Sequence, residues 1–309
     1  MIQTVPCRLD DDNENAVPCL ISQPVALCYH QPRGEGLALC RAPLTVGPDS
    51  GMTSTGRTPS DPSRSSSRAA SATPSGDWRA RLVAAYPQTP LVAPFFAFLG
   101  LLALESAFDP AHKPWLYALR SSGALCVALL FRRYWPPLGK LHLSLCVPVG
   151  LVVALGWVAV HTWFAGFDWY AATQLLGKDP TLAEYYIPHK RLGTGLAYWA
   201  FLTVRIGGAS TVVPIVEELF WRAFVLRLLI DWHRFEDVPL GKFTWFSFIV
   251  CSLLSAVEHP QWEVGILCWV AYNLLFYRTK SLLCLMVTHG ITNLALYVYV
   301  VIYEDWVFW

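Results

Sequence analysis

The stretch Pro214-Ile215-Val216-Glu217-Glu218-Leu219-Phe220-Trp221-Arg222 puts two carboxylates and a guanidinium into an otherwise apolar run. Insertion scales set each such charge at about 2.5–3.5 kcal/mol at the centre of a bilayer. Three unpaired, lipid-facing charges would cost about 7–10 kcal/mol, comparable to the stability of a whole domain. They must therefore face the protein interior or a water-filled cavity. Glu218 and Arg222 stand four apart and can pair on one helix face. Glu217 projects about 100° away, which leaves it free to act as a general base.

Two further polar clusters follow. Glu258-His259-Pro260 ends the apolar run 243–257. Pro260 suits the first turn of a following helix, which places His259 at a helix junction. His289-Gly290-Ile291-Thr292-Asn293 lies inside the last apolar run, with His289 and Asn293 four apart on one face. Imidazole and carboxamide there can donate hydrogen bonds to a developing oxyanion, or ligate a metal. Each cluster also has a structural reading: an ion-pair network for Glu217, Glu218 and Arg222, a hydrogen-bonded packing residue for His289. Three such clusters in the last hundred residues are harder to set aside together than singly. His161 and His189, near segment ends, read as interfacial, and His233 as solvated. Trp163, Trp169, Trp306 and Trp309 fit an aromatic belt. No HExxH, P-loop, GxSxG or GxGxxG pattern competes.

The elements that must position these groups are apolar. Of 309 residues, 54% are hydrophobic and only 15% charged, against about 25% charged in soluble proteins. The net charge of +1 leaves no basic excess for phosphates, which excludes nucleic-acid binding by electrostatics. Runs at 87–104, 115–131, 143–160, 193–230, 243–257, 264–277 and 281–303 predict an all-α fold, a polytopic membrane bundle of seven or eight transmembrane helices. The block 193–230 is long enough for one crossing or two. Strands are not expected, because backbone in lipid must satisfy itself within a helix or a closed barrel. Residues 1–76 predict a disordered tail, Ser/Thr/Pro/Gly-rich over 50–76, with Met52 as an alternative start. Residues 77–309 form the membrane domain. Arg132, Arg133 and Lys140 place the 132–142 loop, and with it the tail, on the cytoplasmic side. Cys7, Cys19, Cys28 and Cys40 in the tail have no zinc or disulfide spacing. Cys126, Cys146, Cys251, Cys268 and Cys284 lie in apolar runs and should behave as buried small hydrophobes.

Glu217-Glu218-x-x-x-Arg222, then His259, then His289-x-x-x-Asn293 together resemble the three motifs of the CAAX prenyl endopeptidase and bacteriocin-processing (CPBP, or ABI) family of intramembrane proteases. The flanking text PIVEELFWR, EHPQW and AYNLLFYRTKSL…THGITN is similar to the branch associated with exosortase/PEP-CTERM sorting systems in bacteria. The resemblance covers about 86–303. It implies an eight-helix endopeptidase of the bacterial inner (cytoplasmic) membrane. Its substrate would be a membrane-anchored protein or peptide, with exosortase-system proteins as partners and no nucleic acid. It implies that Glu217 and His259 activate a water and that His289 and Asn293 hold the oxyanion. Arg222 would support the glutamate shell, with Glu218 beside it. One departure is Ser255, where the family often has Phe four before the second-motif His; it touches packing more than chemistry. No cofactor is required by the sequence. One account of the family adds a divalent metal such as zinc, which Glu217, His259 and His289 would hold; the other is a metal-free glutamate mechanism. The competing class is a non-catalytic membrane scaffold, immunity or transport-like protein whose buried polar groups are structural, although the two similar halves common in transporters are not visible.

Overall fold

The computed structural model describes residues 77–105, 107–167 and 186–309. The tail expected over 1–76, its four cysteines and Trp169 lie outside the described residues. All regular structure among the described residues is helical, in the order α1 (Trp78–Ala85), α2 (Thr89–Glu105), α3 (Lys113–Leu130), α4 (Leu143–Ala165), α5 (Pro188–Leu192), α6 (Leu196–Glu218), α7 (Leu226–Leu228), α8 (Trp245–Ala256), α9 (Trp262–Thr279) and α10 (Leu282–Tyr303), with short 3-10 turns between. A π-helical segment, Leu219–Val225, joins α6 to α7. Each of the seven apolar runs has become a helix.

Three helices are long and apolar enough to cross a membrane: α4, the continuous 33-residue helix Leu196–Leu228, and α10. A fourth counts if α1 and α2, bent by 98°, form one broken span. The seven or eight transmembrane helices expected are not reached among the described residues, and the reasons are local. α8 has 12 residues, short of the roughly 20 that span a hydrocarbon core. α3 carries Arg120 beside Ser121 and Ser122, and α9 carries Glu263, Asn273 and Arg278. The block 193–230 is one helix and not two crossings. At 1.5 Å per residue it extends about 50 Å, beyond a hydrocarbon core of about 30 Å. α4 contains no Asp, Glu, Lys or Arg, and its Val152 and Leu155 are 66% and 71% exposed. Such a surface belongs against lipid, and the chain is an integral membrane protein.

α10 packs between α6 and α4, α3 lies across α6 and α2, and α9 contacts α4 and α8. Lipid supplies no hydrophobic drive between helices, so close backbone approach matters. Two crossings depend on glycine. A Cβ added at Gly150 would lie 2.8 Å from the Thr288 carbonyl oxygen and 2.9 Å from Ile291 Cβ, where α4 meets α10. Where α10 meets α6, a Cβ at Gly290 would collide with the carbonyl oxygen of Ser210. That carbonyl is four residues before Pro214, which has no N–H to offer it. Pro214 therefore loosens the ladder of α6 at the point where Gly290 brings α10 in.

Several expectations are corrected by tertiary packing. Cys146, Cys251, Cys268 and Cys284 are buried, but Cys126 is exposed, because α3 buries the stripe Tyr117, Arg120, Ser121, Ala124 and Ala128 and Cys126 lies off it. His161 is not interfacial: it is buried with Nδ1 3.4 Å from Glu263 Oε1 of α9. Trp306 and Trp309 do not join an outer belt. The turn Trp306–Phe308 folds back on the bundle, Trp306 is buried, and Gln261 Nε2 donates to the Val307 carbonyl at 3.2 Å.

Candidate functional site

Glu217 and Glu218 end the regular part of α6, and Arg222 lies inside the π-helical segment. Glu218 and Arg222 are fully buried and paired at 3.0 Å between Oε2 and Nη1. The guanidinium is held on two more sides. Its Nε donates to Asn273 Oδ1 at 3.1 Å, and Asn273 Nδ2 in turn donates to Ser252 Oγ at 2.9 Å. Its plane lies over Trp269, 4.1 Å from the ring centroid. A buried ion pair persists only with this kind of additional satisfaction.

The second oxygen of Glu218 reaches α10. Its Oε1 stands 2.9 Å from His289 Nδ1. A carboxylate engaged with arginine can only accept, so Nδ1 is the donor and the ring's orientation is set. His289 Nε2 then faces Glu217 Oε2 at 3.9 Å. That is too long for a direct hydrogen bond and short enough for one water to hold both groups. Glu217 Oε2 is buried and accepts no hydrogen bond from the protein.

His259 comes from the connection between α8 and α9, outside the spanning helices. Its ring lies 5.3 Å from Trp157 and 6.2 Å from Trp269 by centroids. Burial, reinforced by the nearby His289, pushes its imidazole down to about 4. Pro260 precedes α9 by two residues and does not enter its first turn. Asn293 Nδ2 donates to the Ala209 carbonyl at 2.8 Å, which fixes the carboxamide against α6.

Glu217, His259, His289 and Asn293 all line one cavity of about 270 Å³. Glu218 and Arg222 are not on its wall and stand behind it. Glu217, His259 and His289 do not come together as a metal-binding group; among the described residues no three His, Cys, Asp or Glu side chains do. Sequence reasoning missed Asn273, Trp269 and Tyr272. Tyr272 donates to Thr292 Oγ1 at 2.7 Å and its ring lies 5.3 Å from that of His289. These residues sit in the plain apolar text of α9, and only the folded partner reveals them. Glu258, noted only as a neighbour of His259, accepts from Trp221 Nε1 at 3.2 Å. Ser255, the departure in the second motif, is fully buried and bonded back to the Cys251 carbonyl at 2.5 Å, so it acts in packing.

Residues 198–295 match the family model described as type II CAAX prenyl endopeptidase Rce1-like. That window contains all three polar clusters. It supports the protease family seen in the motifs, and endopeptidase chemistry in general terms. No curated protein and no solved structure matches the chain.

Proposed function

We propose that this chain is an intramembrane endopeptidase that hydrolyses a peptide bond of a membrane-associated protein with a water activated by Glu217 and His259. The observation that carries the reading is the convergence of Glu217, His259, His289 and Asn293 on one cavity, from three stretches of chain 30 to 76 residues apart in sequence. Glu217 takes the proton of a water held between its carboxylate and the imidazoles. The resulting hydroxide attacks the scissile carbonyl, and as the tetrahedral intermediate collapses the C–N bond breaks and Glu217 returns its proton to the leaving amine. Asn293, anchored by Ala209, and His289 receive the developing negative charge. His289 accepts at Nε2 while neutral and donates there once protonated, because Nδ1 is committed to Glu218.

Prenylated CAAX-type peptides and exosortase-type sorting tails are the two substrate chemistries to offer it, in a bacterial inner membrane or its equivalent. The test uses purified protein in vesicles with either peptide. Glu217→Gln should lower cleavage by about 10²–10⁴-fold while the protein still folds. Unchanged turnover in that variant removes the proposed base and returns the cluster to a structural role.

A further inference from the structure

The cavity carries opposite charges at separate places along α6. Glu217 lines it near one end of the helix, and Arg205, twelve residues earlier, lines it as well. The Arg205 guanidinium is enclosed by aromatic faces: its carbon lies 4.5 Å from the Tyr117 centroid, 5.2 Å from Tyr297 and 5.5 Å from Trp309. Among the described residues no carboxylate pairs with it. Glu105, of the same neighbourhood, is bound to Arg120 at 2.9 Å. Its side chain bonds to Tyr117, and, unlike Arg222 with Glu218, this cation on the cavity wall has no paired carboxylate, so the remaining donors of its planar fork can meet an incoming anion. The fork matches a carboxylate in two parallel hydrogen bonds.

We infer that Arg205 binds the free C-terminal carboxylate of the peptide substrate. This rests on the hydrolytic reading for the cut itself, while the anion site stands on Arg205 and its cavity. Twelve residues of helix separate Arg205 from Glu217 by about 18 Å, and an extended peptide covers about 3.3–3.6 Å per residue. The anion site therefore lies about five extended residues from the proposed base.

The experiment uses full-length protein in phosphatidylcholine vesicles and a dansylated, S-farnesylated Cys-Val-Ile-Met peptide in two forms, free acid and C-terminal amide. A third probe, the amide with an added acidic side chain, separates the terminal carboxylate from acidity in general. In a Glu217→Gln background, where turnover is slowed, the free acid should bind at least about tenfold more tightly than either amide. Arg205→Met should erase that preference while leaving amide binding unchanged, and Arg205→Lys should keep part of it. Equal binding of acid and amide, or an acid preference that survives Arg205→Met, overturns the proposal. Cleavage with Glu217 intact is measured separately. An acid preference without any hydrolysis sinks the protease reading and leaves the anion site, whereas hydrolysis indifferent to the terminal carboxylate does the reverse.

Discussion

His289 is clamped between the two neighbouring glutamates: its Nδ1 is 2.9 Å from Glu218 Oε1, and its Nε2 is 3.9 Å from Glu217 Oε2. The two acids are adjacent in sequence, yet one is fully buried against Arg222 and the other lines the cavity. Their substitutions should therefore behave differently.

Glu217→Gln should lower kcat by about 10²–10⁴-fold, the range of a general base, with a melting temperature close to that of the parent. Glu218→Gln leaves Arg222 buried without its counter-charge, and breaking such a pair costs about 3–5 kcal/mol. Thermal unfolding in detergent, run beside the cleavage assay, separates the two effects. Equal loss of stability in both variants contradicts the division of roles.

Gly290→Ala puts a methyl group against the Ser210 carbonyl. α10 must move away from α6, carrying His289 from Glu218 and Asn293 from Ala209. Overpacking of this kind costs about 1–3 kcal/mol. The expected outcome is a lowered unfolding temperature with a loss of activity larger than the stability change explains. An active, fully stable alanine variant rules out the close approach.

Chelation offers a direct reading of the metal question. Incubation with 1,10-phenanthroline or EDTA, followed by its removal, should leave cleavage by the reconstituted protein unchanged. Loss of activity restored by added zinc would show that the donors rearrange around an ion.

His259 should stay neutral well below the usual histidine range. Its folded-state pKa is depressed to about 4, so the neutral ring is retained through pH 5–8 and is protonated only as pH falls through about 4. Between the unfolded value of about 6.5 and that lower limit, protonation of the unfolded chain opposes folding. Nitrogen-15 spectra of histidine-labelled protein, assigned with a His259→Gln variant, read this directly; a titration near 6.5 contradicts it.

Much of this was legible in the sequence because it is local. Seven apolar runs gave seven helices, and the four-residue spacing from Glu218 to Arg222 gave the ion pair. The convergence of three polar clusters could be expected from the cost of leaving them in lipid. What escaped has a long-range cause. Asn273 matters because Arg222, 51 residues earlier, meets it. His161 is buried because Glu263 lies opposite. Arg205 looks like any helix arginine until Tyr297 and Trp309 close over it. The seven or eight spans read from apolar runs are not reached among the described residues, where three or four helices are long and apolar enough to cross, because α8 is short and α3 buries an arginine.

The π-helical stretch after Glu218 has a geometric outcome for the rest of its helix. A wide turn accommodates one residue more than an α-turn, and one residue amounts to roughly 100° of rotation. A helical wheel drawn straight from Leu196 to Leu228 is thus out of phase in its last turn. The phase slip brings Arg227 inward, where its guanidinium donates to the carbonyls of Ala223, Glu236 and Val238. The side chain that ties the end of this long rod to the following loop is aimed by an irregularity that begins beside the two acids.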